Sequence, residues 1–379
     1  MSRSMKALVT AEGNTAVVSH VLLPEPGPNE IRVKVHAVAL NPVDGIFVAH
    51  PPAGPKGRVV GSDIAGTVEK VGNQVSQWKV GDRVAGFLQG ANTATDRPGG
   101  FAEYALLEED LSIRVPERVS LEEAATYPVC SLTAAEALFI NLQINSPFPS
   151  PFSFPPIKND HVPSILIYSG TTSVGLFAIS LAKLLKTPSG QPYRVFATAS
   201  PKNRTKLLNL GAEAVFDYRS PTWPKELRAL SGGIDYALDC ISEDESVARI
   251  SQTFGPAGGK IVILLKGTWN KEGIRPDVIP VYQVAWSGLG YEIEYMGATL
   301  PVSPSWRSFT VAFNKFLSEA AVQGHDTFPI PPNPVRLMEG GLERIVPDGF
   351  GLLGQGKVAD RKAPEGLRPV SAEKLVYII

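Results

Sequence analysis

Two rhythms of apolar positions run along this chain. In its first third the period is two, clearest where Ile31, Val33 and Val35 alternate with Arg32 and Lys34, and that spacing predicts β-strands. Segments 6–9, 16–21, 30–40, 61–71, 99–105 and 111–116 read this way. A stiff Pro24-Glu25-Pro26-Gly27-Pro28 turn and the turn pairs Gly72-Asn73 and Gly81-Asp82 separate them. Short strands at this density, joined by polar turns, predict a twisted antiparallel or partly closed β domain.

Beyond residue 164 the rhythm changes. Ile165-Leu166-Ile167-Tyr168 is an apolar run too short for a helix and suited to a buried parallel strand. A turn of small residues follows (Ser169, Gly170, Thr171, Thr172, Ser173, Val174, Gly175), then a helical segment from Leu176 to about Lys186. A second strand at 194–199, a helix ending at Leu210 and a third strand at 214–218 complete a βαβαβ order. That order places a dinucleotide pyrophosphate on a helix N-terminus. Its glycines are few, and such turns also arise for packing alone; the ordered context is what favours a dinucleotide site.

The loop after the second strand bears on which dinucleotide. A carboxylate there would accept from the ribose hydroxyls, and residues 197–200 contain none. Ser200, Lys202 and Arg204 instead supply a hydroxyl and two cations, which suit a 2′-phosphate and therefore NADPH. A solvated basic turn is the plainer alternative.

The remaining pattern fills out the architecture. Further strands are expected at 236–241 and 260–265 with a helix at 245–254 between them, and a sixth strand at 293–296. Ser120 and Glu123 form a cap-and-acid pattern opening a short helix to about Thr126, and 131–141 reads as the helix entering the nucleotide domain. Segment 145–163 is Pro-rich and aperiodic, a surface loop whose Phe148, Phe152 and Phe154 leave a docking role as the alternative. Segment 266–290 also lacks a period and is expected to cover the cofactor or line an interface. A helix at 305–321 and a last strand at 374–379 follow, the latter returning to the first domain. The expected fold class is α/β, with a β domain over 1–130 and 325–379 and a Rossmann dinucleotide-binding domain over 131–324.

Composition narrows the function. A chain of 379 residues, 44% hydrophobic and 19% charged, accommodates two globular domains, and a formal charge of -1 gives no electrostatic ground for a nucleic acid or anionic-membrane partner. Two cysteines, Cys130 and Cys240, cannot build a disulfide framework or a Cys-rich zinc site. The N-terminal MSRSMKALV has no long apolar run, so a cytoplasmic protein is expected.

Several motifs together resemble the medium-chain dehydrogenase/reductase superfamily over nearly the whole length. They are Asn41-Pro42-Val43-Asp44, the run from Gly61 to Val68 (GSDIAGTV), Val80-Gly81-Asp82-Arg83-Val84, Gly99-Gly100-Phe101-Ala102-Glu103-Tyr104 and Leu132-Thr133-Ala134-Ala135. The resemblance implies a GroES-like catalytic domain beside the Rossmann domain, with substrate in the cleft between. Within the superfamily, the Pro-rich insertion, the GTTSVG turn and the Ser-Pro-Lys-Asn-Arg loop look like the fungal trans-acting enoyl reductases of polyketide biosynthesis. Zinc-dependent members carry a Cys at Asn41 and a His-Glu pair at Ser62-Asp63, so the resemblance implies no metal here. Asp44 and Asp63 then read as local hydrogen-bonding anchors.

Hydride addition to the β carbon of an unsaturated thioester puts charge on the carbonyl oxygen, which preorganised donors must meet. The resemblance points to Asn41 for the nicotinamide or carbonyl, Thr133 for the nicotinamide ribose or carboxamide, and Lys56 for the oxyanion or thioester. Their bland counterparts are an Asn closing a turn before Pro, a back-bonded helical Thr and an exposed loop Lys. Tyr218 is expected beside the adenine, and the backbone of Leu264 and Leu265 beside the nicotinamide. The implied partner is an acyl carrier protein or polyketide synthase bearing the substrate; the Pro-rich insertion and segment 266–290 lean the reading towards a monomer. A stand-alone quinone or enone reductase and a cofactor-binding interaction protein with little turnover stay open beside it.

Overall fold

In the computed structural model, which describes residues 3–379 apart from 53, 55, 56, 93, 96, 156–160, 355, 359 and 360, the apolar faces are buried in two units. One comprises residues 1–129 with 286–379, the other residues 130–285. The first begins with a hairpin of β1 (Ser4–Ala11) and β2 (Thr15–Leu22). Next come β3 (Glu30–Ala39), the helix α1 (Pro42–Ala49), β4 (Asp63–Val71), β5 (Arg83–Phe87), β6 (Tyr104–Glu108) and β7 (Ile113–Arg114). Helix α1 was not legible in the periodicity. Its start is local chemistry: Asn41 is the N-cap, Pro42 sits in the first turn, and the Asp44 carboxylate accepts the Asn41 amide at 2.8 Å. The cap expected at Ser120 is present: its Oγ accepts from the Glu123 amide at 3.1 Å, opening α2 (Leu121–Ala124). Helix α3 (Pro128–Glu136) runs on into a π-helical turn over Ala137–Asn141.

The second unit is a parallel sheet flanked by helices. Its elements are β8 (Ser164–Tyr168), α4 (Ser173–Ala182), β9 (Arg194–Thr198), α5 (Arg204–Leu210), β10 (Ala214–Phe216), α6 (Trp223–Ser231), β11 (Tyr236–Asp239), α7 (Ser246–Ser251), β12 (Gly259–Ile263) and β13 (Val278–Tyr282). The strand order is β10-β9-β8-β11-β12-β13, with every pairing parallel. The sixth strand is therefore Val278–Tyr282 and not 293–296. Pro280 argues against a central strand from sequence, but β13 is at the sheet's edge, where a missing N–H costs no ladder bond. In the Pro-rich segment the aromatic rings pack locally: Phe148 lies edge-on to Phe139 at 5.6 Å and Phe152 stacks on Phe154 at 6.3 Å.

The chain returns to the first unit at Trp286, earlier than the expected 325. A hairpin of β14 (Ile293–Tyr295) and β15 (Ala298–Leu300) precedes α8 (Pro304–Val322), β16 (Val335–Met338) and β17 (Lys374–Ile378). Helix α8 belongs here because its polar face docks on β6 and β7. The Asn314 amide donates to Leu111 O at 2.8 Å, Ser318 Oγ accepts from Arg114 N at 2.9 Å, and Arg307 pairs with Glu108 at 2.8 Å. The main sheet runs β16-β17-β3-β4-β5-β7, with β6 also on β3. Ile31, Val33, Val35, Ile64, Val84, Leu107, Leu375 and Tyr377 fill its core; Leu166, Phe196, Trp223, Leu227 and Ile261 fill that of the second unit. Each such side chain contributes about 1.5–3 kcal/mol by leaving water.

Candidate functional site

In the second unit, strand order reverses between β8 and β11, and ligands of open parallel sheets gather outside the carboxyl ends at such a point. The backbone is strained there. Ser169, just past β8, has φ 60°, and Ser242 and Asp244, just past β11, have φ 56° and 50°. Ser169 N donates to Thr198 Oγ1 at 2.8 Å and Gly170 N to Thr198 O at 2.9 Å, which bends the turn over β9. A Cβ on Gly175 would lie 2.7 Å from Ser169 O, and one on Gly170 2.9 Å from Ile179 Cδ1. At 175, where the neighbours are backbone atoms, only glycine lets the turn and α4 come this close. Thr172 caps α4, its Oγ1 accepting from Gly175 N at 3.0 Å and donating to Ser169 O at 3.0 Å. Its hydroxyl is thereby engaged in the cap, at the first turn of a helix, where backbone amides meet anions. Glycine-tight packing and a capped N-terminus at the switch point fit a dinucleotide pyrophosphate.

Beside this turn, Ser200 precedes the short 3₁₀ turn Pro201–Asn203, and Lys202 and Arg204 are exposed. Among the described residues neither cation has an ion-pair partner. The acid past β10, Asp217, is engaged by Arg219 at 2.9 Å, and that hydrogen bond holds its carboxyl below the usual range. Tyr218 stands 38% exposed under the Arg219 guanidinium, 5.7 Å from its ring centre. A doubly charged phosphate thus has cations available and no unpaired carboxylate to oppose it within 197–204.

The opposite side of the switch point is organised by Asp239, a buried residue unmarked in the sequence pattern. Its carboxylate accepts from Ile241 N at 3.0 Å, Ser242 N at 2.8 Å and Ser246 Oγ at 2.5 Å. Burial pushes its pKa up to about 6 against the pull of those donors. Ser242 Oγ in turn accepts from Leu264 N at 2.9 Å, and Thr268 Oγ1 donates to Ser242 O at 2.6 Å. Leu264 and Leu265 are so held at the carboxyl end of β12. Thr133 is buried in α3, and one turn later Glu136 is fully buried, its carboxyl pushed well above the usual range by burial while Gln283 donates to it.

The first unit has its own polar centre, where β3 ends and β4 and β17 begin. Asn41, Asp44, Ser62, Asp63, Asn92 and Lys374 are each no more than 4% exposed. Lys374 Nζ donates to Asn41 Oδ1 and to Asp63 Oδ2, both at 2.8 Å, and Asn41 Nδ2 donates to Asp63 Oδ2 at 2.9 Å. The other Asp63 oxygen accepts from Val129 N at 2.8 Å. Ser62 Oγ donates to Asp44 Oδ1 at 2.7 Å and accepts from Asn92 Nδ2 at 2.7 Å. Burial pushes the Asp44 pKa up to about 7, with the Ser62 and Asn41 hydrogen bonds drawing it down. Among the described residues, no three His, Cys, Asp or Glu side chains converge as metal ligands would. The Asn41–Asp63 pair meets an ammonium instead.

Known proteins match this arrangement over its length. Residues 27–117 match the alcohol dehydrogenase GroES-like domain family and residues 173–283 the zinc-binding dehydrogenase family. Enoyl reductase cheB of Chaetomium globosum is 32% identical over 381 residues, covering 98% of this chain and 93% of that protein. The chain belongs to the zinc-independent medium-chain dehydrogenase/reductase superfamily. Trans-enoyl reductase ACTTS2 of Alternaria alternata is 34% identical over 359 residues, covering 94% of this chain and 97% of that one. The crystal structure of CurK enoyl reductase shares the fold at TM-score 0.70 and 21% identity, covering 99% of each chain. The dinucleotide-binding architecture is that of an NAD(P)-dependent oxidoreductase.

Within this superfamily chain, the residues expected to hold the cofactor follow the carboxyl ends of four strands of the parallel sheet: Gly170, Thr171, Thr172, Ser173, Val174 and Gly175 after β8, Ser200, Lys202 and Arg204 after β9, Tyr218 after β10, and Leu264 and Leu265 after β12. Asn41 belongs to the first unit and Thr133 to the second. Lys56 lies outside the described residues. Asp44 and Asp63 are hydrogen-bonding anchors, as their sequence setting indicates. Lys374 and Asn92 escaped sequence reading. The one available signal was a lysine opening the otherwise apolar run Leu375-Val376-Tyr377.

No helix among the described residues is long and apolar enough to cross a membrane.

Proposed function

We propose that this chain is an NADPH-dependent enoyl reductase acting in trans on an α,β-unsaturated acyl thioester borne by the carrier protein of a polyketide synthase. The observation that carries the reading is the nearly whole-length likeness to fungal proteins named trans-enoyl reductases. For the cofactor, the support is the exposed Lys202–Arg204 loop without a carboxylate. When bound, NADPH supplies the hydride. The chain's own part is to hold and orient. The turn from Gly170 to Gly175 takes the pyrophosphate, and Ser200, Lys202 and Arg204 take the 2′-phosphate. Tyr218 takes the adenine edge, and the Leu264–Leu265 backbone and Thr133 hold the nicotinamide end. Asn41 presents a fixed carboxamide to the polar end of the substrate or nicotinamide, and Lys56 is the proposed contact for the thioester oxygen.

The test is NADPH oxidation with crotonyl and α-methyl-enoyl pantetheine thioesters against a panel of quinones, each with and without a carrier protein. Thioester reduction that quickens on a carrier is the expected outcome. Turnover of quinones alone would replace this reading with a stand-alone quinone reductase. NADPH binding with no acceptor reduced would leave a cofactor-binding interaction protein.

A further inference from the structure

An ammonium 2% exposed is costly to bury unless its charge and donors are met. Lys374 meets them at two residues remote in the chain, Asn41 at a separation of 333 and Asp63 at 311. The sheet makes this meeting possible. Asp63 stands opposite Ala39 on the β3–β4 pair, and the β17–β3 pair sets Val376 opposite Ala39, so the ends of all three strands converge. Asn41 is two residues past Ala39, at the cap of α1.

The consequence is for the Asn41 carboxamide, whose two ends are nearly equal in size and differ only in donating or accepting. A carboxylate accepts and an ammonium donates. With Asp63 on one side and Lys374 on the other, only the orientation with Nδ2 towards Asp63 and Oδ1 towards Lys374 satisfies all three groups. Without the ammonium, Oδ1 loses this partner and Asp63 keeps an unmatched buried charge.

We propose that Lys374 is a positioning residue: its ammonium, shared between Asp63 and Asn41 Oδ1, fixes the Asn41 carboxamide in the one orientation the reductase reaction uses. The catalytic half of this rests on the role proposed for Asn41; the orientation does not. A lysine serving stability alone would leave turnover per folded molecule untouched. A positioning lysine lowers kcat while leaving cofactor and substrate affinity in place.

The experiment compares wild type with Lys374→Met, with Lys374→Arg, and with Asp63→Asn/Lys374→Met, the last removing both charges so that no buried carboxylate is left unpaired if the single variant does not fold. Two readouts are taken. The first is hydrogen exchange of the Asn41 side-chain amide protons by NMR, which needs no cofactor. The second is the kcat and KM of thioester reduction. The expected result is slow amide exchange in wild type, fast exchange in the folded Met-containing variant, and kcat lower on the order of 10- to 100-fold with KM for NADPH held. Lys374→Arg, keeping the charge, should restore slow exchange at least in part. Wild-type exchange and kcat in a folded Met-containing variant would overturn the proposal. A wild-type protein that reduces no thioester defeats the enoyl reductase reading alone, because the exchange measurement still decides whether Lys374 holds the amide.

Discussion

Among the described residues, Lys202 and Arg204 have no acid to answer them, unlike three arginines of the nucleotide unit. Arg194 is tied to Glu213 at 2.6 Å, Arg219 to Asp217 at 2.9 Å and Arg275 to Asp277 at 2.5 Å. Cations spent on neighbouring carboxylates are poor phosphate ligands, whereas two unspent ones on the loop after β9 retain their full pull. Replacing both (Lys202→Ala with Arg204→Ala) should weaken NADPH on the order of 10- to 100-fold and NADH by less than about twofold, since charge-assisted bonds contribute about 1.5–3 kcal/mol when sheltered and less when exposed. Fluorescence titration with each nucleotide checks this. Equal losses for both would refute the phosphate assignment.

At the scale of elements, the sharpest dependence is that of α4 on Thr172. One hydroxyl takes the Gly175 amide and bonds back to Ser169 O, so helix start and strained turn share one side chain. Thr172→Val keeps the shape and removes both bonds. It should cost about 1 kcal/mol in urea unfolding, and raise the NADPH dissociation constant by loosening the turn; Thr172→Ser should recover most of both. A Val variant indistinguishable from wild type in both would show that the cap does not hold the cradle. Elements also mark where pattern reading fell short. Strand β13 carries Pro280, and α1 is too short for its period to show. In α8 the buried Phe309, Phe313 and Leu317 reveal a helix but not which unit it covers, because that choice is made by the partners that Arg307, Asn314 and Ser318 find on other segments.

Over the whole molecule, the buried carboxyls of Asp44, Asp239 and Glu136, all raised by burial, bias stability in the same direction. Asp44 ionises at an ordinary 3.8 in the unfolded chain and at about 7 in the folded one, and Asp239 at 3.8 and about 6. Both folded values are raised, by burial foremost. Between those limits the folded state keeps a proton that the unfolded state has released, so the contribution of these two to stability falls as pH rises from about 4 to 7. For Asp44 the full span amounts to about 4 kcal/mol. Asp44→Asn should therefore flatten the urea midpoint plotted against pH over that window, whatever its effect on absolute stability. A slope unchanged from wild type would mean that Asp44 is charged in the fold across the whole range.

What the sequence determined by itself is local in origin. The change from period two to short apolar runs marks off the β-rich segment from the nucleotide-binding one, because side-chain direction along a strand depends only on the residues within it. The turn from Ser169 to Gly175 and the acid-free loop at 197–204 were legible for the same reason: each is a single continuous stretch. Tertiary structure decided whatever joins distant stretches. It made Pro280 an edge residue, returned the chain to the first unit at Trp286 and brought Lys374 against Asn41 and Asp63. A buried ammonium acquires its meaning only from the groups that surround it, and here those groups are more than three hundred residues away along the chain.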